Sequence, residues 1–191
     1  MTVGLLPRRL LPRDAQRTLC NQMKLALNFV KLILLSAWVG ATLFFGAVVA
    51  PAAFGILRSF QLANANEIAG SIVTRCVSVV NITGFIFGLF ILLCFFLTAR
   101  PKGLRFLFEL LSAGIFVLAT GVGHWVIAAR MRALRVAMIL PIDQVRPDDP
   151  RRIEFNNLHV YSVNTLLLAM IAALVAIILI SIRIKKLKIE D

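Results

Sequence analysis

Two histidines, His124 and His159, are the only imidazoles in a 191-residue chain that is 60% apolar. Asn81, Asn156, Ser162 and Asn164 are among the polar side chains that fall at corresponding depths in the neighbouring uncharged runs. Imidazoles on two helices can do three different things in such a setting. As neutral rings they can hydrogen-bond to amide, hydroxyl and backbone partners and lock the helices together. They can line a path for a polar substrate or ion, or they can hold a metal ion or a haem iron. His124 lies five residues inside the end of its uncharged run, or roughly 8 Å along a helix. Asn156, His159 and Ser162 recur at spacings of three, which keeps them on one side of a helix, with Leu166 continuing the stripe.

Other chemistries find no support in the sequence. It contains no HExxH pattern, no glycine loop of phosphate-binding form, no carboxylate pair and no nucleophile beside a base. Hydrolytic and phosphoryl-transfer enzymes are therefore disfavoured, and no catalytic residue is expected. Cys20, Cys76 and Cys94 lack metal or redox spacing and read as small apolar fillers. No cofactor is expected on the first reading; haem or a metal ion on His124 and His159 is the alternative.

The elements that must position these groups follow from where charge is missing. Asp, Glu, Lys and Arg are absent from Leu32–Leu57, Cys76–Ala99, Leu110–Ala129 and Asn156–Ile182. Each run is long enough to cross ~30 Å of hydrocarbon as a helix. With only 16% charged residues, the chain reads as an all-α integral membrane four-helix bundle. Its spans are expected at about 32–57, 76–99, 105–130 and 156–182, within a transmembrane domain covering residues 25–188. Residues 1–24, with basic residues near two prolines and no periodicity, read as a disordered tail. Met23 offers an alternative start that would omit most of it. The first span carries small residues at cleavage-like spacing, yet it is too long for a signal peptide and Pro51 follows Ala50, so it reads as a retained helix.

A net charge of +12 raises the possibility of nucleic-acid binding, but the basic residues lie between and beside the spans, which makes the lipid bilayer the expected partner. With both termini inside, thirteen Lys and Arg fall on the cytoplasmic side against eight outside. That count places both termini in the cytoplasm. The dissent is the segment Arg130–Glu154, which puts six arginines on the outer face.

Small residues mark where helices can approach closely. Gly40 lies on a stripe with Ser36, Ala47 and Ala50, Gly84 and Gly88 form a GxxxG spacing, and Gly114 and Gly121 repeat the device ahead of His124. These five glycines are the expected packing positions. At the inner ends, Lys31, Arg105 and Glu109 are placed to pair. At the start of the fourth helix, Asp149 reads as the cap and Pro150 as the first helical residue.

The chain resembles the domain-of-unknown-function 4149 family, which includes the transmembrane protein 205-like group. The resembling features are Trp38-Val39-Gly40 followed by Pro51 and Phe54, Ala69-Gly70 ahead of the second run, and Phe155, Leu158, His159 and Ser162 opening the fourth. The resemblance implies a four-span membrane protein, mostly bacterial, mostly without assigned activity, with eukaryotic relatives linked to platinum-drug resistance and trafficking. The bacterial inner membrane is the location it implies. The tail before Met23 departs from that pattern, and the roles considered for His124 rest on its place in the sequence alone, not on the resemblance.

The expected function is that of a small non-enzymatic membrane protein that handles or exports a small solute, such as a drug or metal, as a homo-oligomer. The alternatives are a haem- or metal-binding redox protein using His124 and His159, and a structural or partner-binding module.

Overall fold

The structure, a computed structural model, describes residues 12–97 and 103–187, and among these every regular element is a helix. Helix α1 (Arg13–Phe44) passes through a π-turn at Phe45–Val49 into α2 (Ala50–Ser59). After a short turn comes α3 (Ala65–Leu97). Helix α4 (Leu104–Gly121) runs through a second π-turn, Val122–Ile127, into α5 (Ala128–Met138), and α6 (Pro150–Leu187) closes the chain. Four of the resulting rods, with the two π-turn pairs each taken as one, are long and apolar enough to cross a membrane.

The helices outrun the uncharged segments at both ends, because a helix needs hydrocarbon only along its middle. The first begins at Arg13, inside the stretch expected to be irregular; residues 1–11 lie outside the described residues. At the opposite end of the chain, Asp149 accepts the Arg151 N–H on Oδ1 at 2.8 Å, and Pro150 occupies the first helical position, where its missing N–H leaves nothing unsatisfied.

Each rod touches its two sequence neighbours in a ring, the first also meeting the fourth. Trp38 and Phe116 meet across the centre with ring centroids 4.8 Å apart. The core stripe of α1 is Asn28, Lys31, Leu35, Trp38 and Thr42, continued by Phe45 in the π-turn, steps of three and four that keep one face inward. That face carries the polar handles. Trp38 Nε1 donates to the Val80 carbonyl at 2.8 Å, a partner that lipid could not supply. The small stripe of Ser36, Gly40 and Ala47 is exposed instead. Alanines 169, 172, 173 and 176 do for α6 what glycine was expected to do elsewhere, bringing it close to α1 and α4.

The glycines divide accordingly. A Cβ on Gly84 would lie 2.6 Å from Trp38 Nε1, and one on Gly88 would lie 2.5 Å from a Val117 methyl. Gly121 backs onto Phe85 at 3.3 Å. Gly40 and Gly114 have nothing within 4 Å, so their expected packing role has no neighbour to act on. Helix periodicity located the faces, but in an apolar medium both faces of a span look alike until a polar anchor chooses between them.

The π-turns have different local causes. Pro51 cannot donate to the carbonyl one turn earlier and its ring crowds that turn, so the helix widens immediately before it. In the second, Gly123 is buried with Asn81 against it, the Asn81 amide lying 2.9 Å from where a Cβ would sit.

Candidate functional site

The polar groups gather at the end of the bundle where α2, α5 and the first turns of α3 and α6 meet. A cavity of about 260 Å³ opens there. Helical spacing explains its lining. Phe54 and Arg58 lie one turn apart on α2, as do Met131 and Arg135 on α5. Helix α3 contributes Asn66, Gly70, Val73 and Thr74, and α6 contributes Arg152, Phe155, Asn156 and His159, both at steps of three and four. The loop before α6 supplies Ile142 and Asp143.

Asp143 ties this loop to the start of α3. Its Oδ1 accepts Asn66 Nδ2 at 2.5 Å and its Oδ2 accepts the Glu67 backbone N–H at 3.1 Å, satisfying an N–H that the first turn of a helix leaves free. Glu67 returns the favour: its Oε2 accepts the Ile142 N–H at 3.2 Å. Arg135 donates from Nη1 to Glu67 Oε1 at 2.9 Å and to Ser71 Oγ at 2.7 Å, and its guanidinium lies 5.2 Å from the centre of the Phe155 ring. Gly70 makes this possible, since a Cβ there would meet Arg135 Nη2 at 2.7 Å. Arg58 Nε donates to Asn66 Oδ1 at 2.8 Å, and Arg152 Nη1 donates to the Val145 carbonyl.

The residues singled out from sequence are distributed over three surroundings. Asn156 and His159 line the cavity and are exposed. Asn81 is buried against Gly123, and nearby His124 Nδ1 lies 3.2 Å from Ser78 Oγ with its ring edge-on to Trp125. His124 is not among the residues lining the cavity. Ser162 is half-buried, and Asn164 is exposed on α6. Among the described residues no three of His, Cys, Asp or Glu converge on a point where a metal ion could sit.

The cavity's arginines, Asp143, Asn66 and Gly70 were not singled out as a site by the sequence reading. A signal did exist: six arginines between the third and fourth spans run against the expected charge bias. Four of those six now have carboxylate partners, in Arg130–Glu154, Arg135–Glu67, Arg146–Asp148 and Arg151–Asp149. At the opposite end of the bundle, Glu109 pairs with Arg183 at 2.6 Å, while Arg105 is exposed and Lys31 lies over the Phe95 ring at 4.4 Å. The expected grouping of Lys31, Arg105 and Glu109 is thus replaced by one in which α6 provides the partner.

Four apolar rods around an interior of aromatic rings and alanines, with a polar cavity at one end, define an integral membrane helical bundle. Residues 33–139 match the family described as domain of unknown function (DUF4149), and the chain belongs to that family. No curated protein and no solved structure matches it. The matched residues end at Ile139, so they include the α2, α3 and α5 walls of the cavity and leave Asp143 and the α6 wall beyond them.

Proposed function

We propose that this protein handles a small solute at the membrane and that the cavity between α2, α3, α5 and α6 is where the solute is held. The observation that carries this reading is the cavity's composition: three arginines, two asparagines, an aspartate and a histidine stand beside Phe54, Val73, Met131, Ile142 and Phe155. Apolar walls with a few convergent polar groups are what a ligand site requires. The orientation that goes with this reading places both termini in the cytoplasm and the cavity at the outer face of a bacterial inner membrane, motivated by the distribution of basic residues. Reporter fusions at residue 191 and within Pro141–Arg152 should then report opposite compartments, the first inside.

The test uses purified full-length protein in phosphatidylcholine nanodiscs, titrated calorimetrically with hexyl phosphate, hexylammonium and hexanol. Saturable binding of at least one, lost in Asn156→Trp, supports a solute site here. Binding of none, or binding that survives with Trp in the cavity, refutes it.

A further inference from the structure

The hydrogen-bonding groups around the cavity are unequally committed, and that inequality identifies the charge of what fits. Asp143 is the one carboxylate that lines it, and both of its oxygens are occupied, by Asn66 Nδ2 and by the Glu67 N–H. Glu67, just behind, has Oε1 on Arg135 and Oε2 on the Ile142 N–H. Both oxygens of each acid are thus engaged, using about half of its four acceptor sites, in holding the loop to α3 and Arg135. Arg58 and Arg152 are engaged to a smaller extent. Each guanidinium has five N–H donors. Arg58 directs Nε to Asn66 and Arg152 directs Nη1 to a carbonyl, while Arg135 Nε is buried with no hydrogen-bond partner. With three arginines against one aspartate on the lining, both the net charge and the spare hydrogen-bonding capacity favour an acceptor.

We infer that the cavity binds a small amphiphilic anion, a phosphate monoester or carboxylate head held by Arg58 and Arg152 with a short apolar tail against Val73, Met131 and Phe155. This rests on the reading of the cavity as a solute site and adds the chemical class of the solute. The head is the shared chemistry of two sources, a free organic anion and an anionic lipid headgroup, since the cavity lies towards the ends of the four spanning-length helices. The volume of about 260 Å³ admits a head and a short chain and little more, near the lower limit of ~300 Å³ for small-molecule sites.

Hexyl phosphate is the direct probe, titrated into the full-length protein in phosphatidylcholine nanodiscs. Saturable binding is expected, weakened about tenfold or more in Arg152→Gln and in Arg58→Gln, because each removes a charge-assisted donor. Arg130→Gln, whose guanidinium pairs with Glu154 away from the cavity, should leave binding unchanged. Retained helical circular dichroism and melting temperature in the two cavity variants separate loss of a donor from loss of fold. Repeating the titration in phosphatidylglycerol nanodiscs assigns the source. Weaker apparent binding there supports the inference with lipid headgroup as the occupant, and unchanged binding supports it with a free anion. Hexyl phosphate affinity insensitive to both arginine substitutions overturns the anion assignment. So does binding of hexylammonium or hexanol in preference to hexyl phosphate, but then the solute site itself stands if Asn156→Trp abolishes it. Binding of none of the three removes both.

Discussion

The two ends of the bundle use the same residue types for different purposes. At one end Arg58, Arg135, Arg152 and Asp143 stand around open space. At the other, Lys31 is 1% exposed, Glu109 is 3% exposed, and Arg183 completes an ion pair whose 2.6 Å contact lies outside the geometry of a directed hydrogen bond. Phe95 covers both cations, 4.4 Å from Lys31 and 5.9 Å from Arg183. A charge enclosed by rings and by its counter-ion has little left to offer a ligand, and it fixes how α1, α4 and α6 meet. A charge beside a cavity, already braced by one hydrogen bond, keeps its remaining donors. The difference between structure and recognition here lies in how many bonds are spent, not in which residues are present.

The packed end should respond most strongly to substitution. Glu109→Gln leaves Arg183 without its counter-ion next to the buried Lys31, and losing one partner of a buried pair costs about 3–5 kcal/mol. A large fall in melting temperature in detergent or nanodiscs is expected, with no effect on hexyl phosphate affinity in whatever fraction stays folded. A variant as stable as the parent would show that this end is not a structural lock.

Next in size is Gly84→Leu. Its side chain must displace Trp38 and with it the bond to the Val80 carbonyl, so roughly 1–3 kcal/mol of destabilisation is expected from overpacking. Gly40→Leu, with open space around it, should leave the melting temperature unaltered. Equal effects at the two glycines would contradict the packing described.

Asp143→Ala probes the cavity end and should lose about 1 kcal/mol, the usual worth of a helix cap. Its signature is local: faster amide exchange at Glu67 and Ile142, with the centre of α3 unaffected. Uniform exchange along α3 would mean that the loop does not hold the helix start.

The smallest effect is a pH dependence. Hydrogen bonds from the Arg151 side chain and backbone hold the Asp149 carboxyl down to about 2, from an ordinary value of 3.8. A depressed carboxylate contributes stability that is complete above its unfolded value and is lost as pH falls through the folded one. Protection at the start of α6 should therefore be flat from neutrality to about pH 4 and decline only between about 4 and 2. Decline beginning well above 4 would assign the pH response to another group.

The four rods were legible in the sequence because hydrocarbon leaves so few ways to satisfy a backbone. The Asp149-Pro150 start of α6 was legible for a similarly local reason. Which face of α1 points inward was less so. Ser36 and Gly40 suggested close packing, while Trp38 and Thr42 on the other face could be chosen only by knowing that the Val80 carbonyl stands opposite. His124 and His159 drew attention as ionisable groups in or beside apolar runs, yet the structure gives them different neighbours, Ser78 for one and the cavity for the other. Of the cavity arginines, Arg135 and Arg152 were visible only as part of an excess against the charge bias, and Arg58, between the first two spans, carried no such signal. Their convergence depends on Asp143 folding a loop back onto α3, a contact 76 residues apart in sequence that no local pattern encodes.

Photo-crosslinking with a diazirine-bearing alkyl phosphate, followed by peptide mapping, tests most directly which end of the bundle recognises a ligand. Adducts are expected to concentrate on Phe54, Val73, Met131 and Phe155, to be suppressed by excess hexyl phosphate and to be reduced in Arg152→Gln. Adducts concentrated around Lys31, Phe95 and Phe106, or spread along lipid-facing positions such as Leu118 and Leu168 without competition, would contradict recognition at the cavity.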